Sequence, residues 1–292
     1  MDKIVEITGL SKHYKGFSLK NISFSLERGY IMGFIGPNGA GKSTTIKLMM
    51  NLVKKDGGQI KLFGLDHEKD EIAVKERIGF VYDENCFYDE LTVEEMKNFI
   101  RPFYRRWDEA AFKRYVREFG LPLNKQIKRL SKGMKMKFAL AAALSHHAEL
   151  LIMDEPTSGL DPLVRNELLD ILRTLMEDGN TSVFFSTHIT SDLDKIADYI
   201  TLIHEGEILL STTKEELLEE YCIVKGGKNL DLSACRELFI GLEESRYGIA
   251  GLARNKGDVI KRLGGSAVIE RPTLEDILLF FTSRSDSHVS SH

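Results

Sequence analysis

The chain has 292 residues, of which 42% are hydrophobic, 29% charged and 9% aromatic, and its 40 Lys and Arg against 44 Asp and Glu leave a formal charge of −4. This composition excludes an intrinsically disordered chain, a collagen-like repeat and a disulfide mini-scaffold, and it supplies no overall cationic field to recruit nucleic acid or anionic lipid. Three cysteines, Cys86, Cys222 and Cys235, suit neither a disulfide framework nor a zinc site by spacing, so reduced thiols in a cytosolic protein are expected.

The first residues alternate like a strand and lack the basic segment and long apolar run of a secretory signal, so a chain that stays inside the cell is expected. From Lys3 to Gly36 the period is two, with apolar residues at Ile4, Phe17, Leu19, Ile22, Phe24 and Leu26, a turn at Arg28-Gly29, and a buried run from Tyr30 to Ile35. Antiparallel strands leading into a core strand are predicted. After Gly41 the pattern becomes helical, with Ile46, Leu48, Met49 and Leu52 on one side and Gly57-Gly58 closing the segment.

Between Asp89 and His147 a helical subdomain, spanning about residues 85–148, is predicted. Thr92 and Glu95 form a capping box, and Asp108 opens a helix that stops at Gly120 before Pro122. Strand patterns return at Leu150–Met153, Val183–Ser186 and Tyr199–Ile203, with a helix from about Val164 to Glu177, which implies a largely parallel, buried sheet. The apolar stretch Phe138–Met153 is broken by His146, His147 and Glu149 and falls short of the ~20 residues a membrane span needs. Any membrane role is therefore expected to come through a partner. Residues 1–210 read as one α/β domain, and 211–282 as a small α+β accessory domain. The latter has a helix at Lys214–Glu220, a strand at Tyr221–Lys225, a mixed region and a last helix from Pro272; the Ser- and His-rich residues 283–292 are expected to be disordered.

Gly36-Pro37-Asn38-Gly39-Ala40-Gly41-Lys42-Ser43-Thr44 matches the phosphate-binding loop of a P-loop NTPase, in its required setting of strand before and helix after. Backbone N–H groups freed of side-chain bulk at Gly36, Gly39 and Gly41 wrap phosphates, Lys42 neutralises them, and the Ser43 hydroxyl ligates Mg²⁺. Leu150-Leu151-Ile152-Met153 delivers Asp154 and Glu155 to the carboxyl edge of the sheet, Asp154 to hold Mg²⁺ and Glu155 to orient or deprotonate water. His188 follows another apolar strand and would reach a γ-phosphate from its tip, although a lone histidine there also suits a structural role.

With these residues in place, the chain resembles the nucleotide-binding subunits of ABC transporters over about residues 3–210. Leu130-Ser131-Lys132-Gly133-Met134 is similar to their signature loop, and Ser158-Gly159-Leu160-Asp161 to the loop after the hydrolytic carboxylate. The resemblance implies ATP and Mg²⁺ as ligands and a head-to-tail dimer, homo- or heteromeric, in which Ser131 and Gly133 face the γ-phosphate bound by the partner. It also implies a transmembrane permease subunit and a place at the inner face of the cell membrane. Tyr14 stands where the family stacks a ring on adenine; edge-strand packing is the other reading of that residue.

Two departures stand out. Lys132 and Met134 replace the usual Gly and Gln; lysine is strained if position 132 needs positive φ, and otherwise adds a cation for phosphate. At Ile78–Glu84, Asp83, or failing it Glu84, takes the place of the glutamine offered to Mg²⁺. Of the aromatics Phe87, Tyr88, Phe99, Phe103, Tyr104 and Trp107, Phe87 and Tyr88 are expected to contact the membrane partner. The resemblance extends to ABC-2 type exporters of the YtrB and phenol-soluble modulin groups, which points to export of antimicrobial or cytolytic peptides or drugs. The alternatives are a translation or repair ATPase, which commonly carries two cassettes or a long coiled-coil insertion, and a weakly hydrolytic regulatory subunit.

Overall fold

The computed structural model describes residues 2–82, 86–233 and 235–289, with side chains through residue 283. Strands β1 (Lys3–Tyr14) and β2 (Phe17–Glu27) form an antiparallel hairpin, and β3 (Ile31–Ile35), whose five residues are all buried, runs into helix α1 (Lys42–Met49). The chain returns through β4 (Gly57–Leu62) against β1, then β5 (Leu65–Asp66), the short helix α2 (Glu71–Lys75) and β6 (Ile78–Val81). Gly57 and Gly58 therefore open a strand and do not close the helix. Gly58 (φ +83) crosses Gly9 so closely that a Cβ would lie 2.4 Å from its carbonyl, a backbone approach only glycine allows.

The helical insertion follows as α3 (Val93–Ile100), α4 (Glu109–Glu118) and α5 (Lys132–Ser145). Its caps are those read from the sequence. Glu95 N donates to Thr92 Oγ1 and Thr92 N to the Glu95 carboxylate; the Asp108 side chain accepts from Ala110 and Ala111; and Gly120 (φ +63) takes the left-handed turn after α4. Then come β7 (Leu150–Asp154), α6 (Pro162–Glu177), β8 (Ser182–Thr187), α7 (Thr190–Ile196), β9 (Tyr199–His204) and β10 (Glu207–Thr213). The central sheet has the order β10-β9-β3-β8-β7-β6, all neighbours parallel except β10 on β9. Covered on both faces, β7 and β8 are buried at every residue, which is why they read as continuous apolar runs. The Phe24, Phe34 and Phe184 rings, with centroids 5.1–5.8 Å apart, join the antiparallel sheet to this one.

Past residue 213, α8 (Lys214–Glu220) leads to β11 (Tyr221–Gly226), β12 (Phe239–Glu244), β13 (Ile249–Arg254), α9 (Lys256–Leu263), β14 (Val268–Glu270) and α10 (Leu274–Val289). Strand order β12-β13-β11-β14 makes a third sheet. One face packs with Leu274, Ile277 and Phe280 of α10 into the main core, and the other buries Cys222, Val224, Cys235 and Val259 in a small core of its own. α10 runs to Val289, and residues 290–292 of the segment expected to be disordered lie outside the described residues.

His146, at the end of α5, is 2% exposed, with its ring stacked 3.7 Å from that of Tyr104. Burial holds its pKa down at about 4. The unfolded chain then binds a proton from pH 6.5 downward while the folded one does not, so stability falls as pH drops from 6.5 to 4, by about 2–3 kcal/mol. Urea midpoints across that window should flatten in His146→Phe, which keeps the stack and loses the proton site; an identical slope in the variant contradicts this.

Candidate functional site

Glycines in the loop after β3 are required for different reasons, close neighbours at two of them and backbone conformation at the third. A Cβ at Gly36 would lie 2.2 Å from the Ile203 carbonyl oxygen, one at Gly41 2.6 Å from Leu19 Cδ2, and Gly39 has φ +82 with open space around it. The β9–β10 turn braces the loop from below, Gly206 N donating to Ala40 O at 3.0 Å and Lys20 N to Gly206 O at 2.8 Å. Asn38 and Gly39 face solvent. No side chain caps α1, and its first turn carries no acid, so its N–H groups and positive dipole end point to the open side. Such an end binds phosphate.

Lys42 is 5% exposed, and its Nζ donates to the carbonyls of Gly36 (2.8 Å) and Pro37 (3.2 Å) and lies 3.1 Å from Glu155 Oε1. Ser43 and Thr44 follow, half-buried, on the first turn. Asp154, 2% exposed at the end of β7, accepts from Ser186 Oγ at 2.6 Å; burial raises its pKa, against the hydrogen bonds from Ser186 and Ser43. A hydroxyl and a carboxylate side by side are the hard oxygen donors Mg²⁺ takes, so this pair fits that ion. Glu155 follows at φ +48, a left-handed conformation rare for a long side chain, and its N–H reaches Ser186 O (3.0 Å) and Oγ (3.2 Å). His188 Nδ1 lies 2.8 Å from Glu155 Oε2. Lys42, Asp154, Glu155 and His188 thus meet at the carboxyl edge of β3, β7 and β8, where open α/β sheets bind ligands.

Ser186 is the member of this group that sequence reasoning missed. Its only signal is its place two residues before His188; its importance comes from the parallel register that sets it opposite Asp154. Tyr14 ends β1 with 45% of its surface exposed and pairs with Phe17, whose ring lies 3.0 Å from a Cβ built on Gly41. The hairpin thereby carries an exposed phenol to the rim of the loop.

Ser131 and Gly133 sit on a different element. Ser131 caps α5 by accepting from Met134 N at 3.2 Å, and Gly133 lies against α6, a Cβ there coming 2.4 Å from Val164 Cγ1. Lys132 is the first residue of α5 and is not among the residues with positive φ, so it carries no strain; its Nζ is 3.6 Å from a Cβ built on Gly159. Asp83 and Glu84 lie outside the described residues. Among the six aromatics, Phe87 packs on Phe138 (4.8 Å), Trp107 on Phe112 and Tyr104 on His146, whereas Tyr88, Phe99 and Phe103 stay exposed and touch one another at 5.2 and 5.7 Å.

The ABC transporter family model matches residues 19–158. The chain is similar to the bacitracin transport ATP-binding protein BcrA of Bacillus licheniformis (35% identical over 212 residues, 72% of this chain and 69% of that protein). It is also similar to the linearmycin resistance ATP-binding protein LnrL of Bacillus subtilis (37% over 246 residues, 81% and 78%). Among solved structures, cbiO1 of Clostridium perfringens, part of the ABC transporter complex cbiONQ, superposes with a TM-score of 0.65 at 25% identity, covering 75% of this chain and 92% of that one. The fold is that of the P-loop NTPases.

Proposed function

This chain belongs to the ABC transporter family as one of its ATP-binding, ATP-hydrolysing proteins, and from that premise we propose that it is the motor subunit of an exporter. Two copies, or this chain and a second ATP-binding subunit, close head-to-tail on two ATP molecules. The phosphate loop of each faces Ser131 and Gly133 of the other, and Lys132 adds a cation to that helix end. Tyr14 stacks on adenine, the amides of Gly36, Asn38, Gly39 and Gly41 and the Thr44 turn cradle the phosphates, and Lys42 exchanges its contact with Glu155 for the β- and γ-phosphates. Ser43 and Asp154 would hold Mg²⁺, which supplies charge neutralisation on the phosphates when bound. Glu155 takes the proton of the attacking water while His188, at 2.8 Å, fixes its carboxylate and reaches the γ-phosphate. The observation that carries this reading is the convergence of Lys42, Glu155 and His188 through contacts of 3.1 and 2.8 Å. Binding closes the pair and hydrolysis reopens it.

Among the described residues no helix is long and apolar enough to cross a membrane, and the reading assigns that task to a separate permease. Tyr88, Phe99 and Phe103 form the docking patch, an exposed cluster of the residue type that anchors interfaces. The subunit then sits at the cytoplasmic face of the membrane through that contact. Relatives named for bacitracin transport and linearmycin resistance support antimicrobial peptides or drugs as cargo. Affinity purification from detergent-extracted native membranes, followed by mass spectrometry, should recover a stoichiometric polytopic protein; recovery with ribosomes or nucleic-acid factors instead contradicts the transport reading. The double variant Tyr88→Ser with Phe103→Ser should lose at least tenfold of that recovery, while ATP turnover of the purified protein stays within twofold.

A further inference from the structure

Two segments flank the hydrolytic edge: residues 154–158 after β7, and residues 186–192 from the end of β8 into α7. His188 and Glu155 tie them at the surface. A second tie lies deeper. Thr157 Oγ1 donates to Asp192 Oδ2 at 2.7 Å, and Arg165 Nε donates to Asp192 Oδ1 at 2.6 Å, with Asp192 and Thr157 each only 1% exposed. A carboxylate taken this far out of water persists only when its oxygens are satisfied, and here one bond goes to the segment after Glu155 and the other to the α6 helix that follows it. Arg165 also holds Ser191 through Nη2 at 3.1 Å.

Glu155 needs such support because its φ of +48 is held only where surrounding contacts over-determine it. Ser186 fixes its N–H, and Ser158 N donates to its carbonyl at 3.0 Å. α7 is itself closely packed. Leu193 Cδ1 lies 2.5 Å from a Cβ built on Gly33 of β3, and Lys214 Nζ donates to the Asp194 carbonyl at 3.1 Å. Asp192 therefore joins the strained turn to a helix packed directly on β3.

We propose that Asp192 is a positioning residue for ATP hydrolysis: through Thr157 and Arg165 it locks the Glu155 turn against α7, so that Glu155 and His188 keep their register. The proposal rests on the roles given above to Glu155 and His188. It predicts a loss in turnover without a loss in nucleotide binding, because neither Asp192 nor Thr157 belongs to the phosphate loop.

The test is steady-state ATP hydrolysis by the full-length protein with Mg²⁺, beside equilibrium binding of a fluorescent ATP analogue. Asp192→Asn should lower kcat 10- to 100-fold with KM and analogue affinity within threefold of wild type. Thr157→Val should lower kcat about fivefold or more, and Thr157→Ser, which keeps the hydroxyl, should restore it to within twofold. Should Asp192→Asn fail to fold, the Thr157 pair decides. Turnover unchanged in Asp192→Asn or Thr157→Val overturns the proposal, as does a parallel loss of kcat and affinity, which marks a purely structural residue. Active wild type with unaffected variants refutes this inference alone, whereas wild type without turnover refutes the ATPase roles and this inference with them.

Discussion

Lys42→Ala weakens ATP binding at least 100-fold. The ammonium is almost fully buried at the mouth of the loop, where its charge acts in a poorly screened setting, and it donates to the loop's own carbonyls at Gly36 and Pro37. Losing a charge-assisted contact to a multiply charged phosphate there costs about 3 kcal/mol or more, which is the 100-fold stated. The variant also strips Glu155 Oε1 of its cation, leaving a carboxylate without a counter-charge next to where phosphate binds. Titration calorimetry with ATP, on protein shown by circular dichroism to be folded, measures the effect. An unchanged affinity removes the phosphate loop from the binding site.

Glu155→Gln separates binding from hydrolysis. An amide keeps the size of the carboxylate but cannot take a proton, and general-base catalysis contributes roughly 10²–10⁴-fold. Turnover should fall about 1000-fold, while ATP affinity holds or rises because the negative charge beside Lys42 is gone. Arrested after binding, the variant should collect as an ATP-dependent dimer visible by size-exclusion chromatography with light scattering. If wild type turns over ATP no faster than the variant, the motor reading gives way to a regulatory subunit that mainly binds nucleotide.

Chemistry confined to a few consecutive residues is open to reading from sequence. The glycine spacing around Lys42, the strand that ends in Asp154-Glu155 and the caps at Thr92 and Asp108 are each set by local hydrogen bonding and φ preference, so their placement on turns and helix ends follows from the residues alone. The buried strands β3, β7 and β8 are legible for the same reason, since complete burial leaves an uninterrupted apolar run. The end of α1 is not, because Gly57-Gly58 suits a helix stop as well as a strand crossing and only the approach of Gly9 selects between them.

Phe87 and Tyr88 make the same point one residue apart: adjacent and both aromatic, Phe87 packs on Phe138 of α5 while Tyr88 stays exposed against Phe99. Of the two readings of Lys132, strain or an added cation, the first falls away because α5 begins at that residue with helical backbone. By itself, then, the sequence determined the α/β class, the phosphate loop, the acidic strand end and the helical insertion, all products of short-range geometry. Tertiary structure alone decided that Ser186 sits opposite Asp154, that Lys42, Glu155 and His188 meet, and that Asp192 bonds Thr157. Each of these contacts joins residues brought together by strand order in the sheet, and strand order is settled by which faces can be buried against each other, a property of the whole chain rather than of any stretch of it.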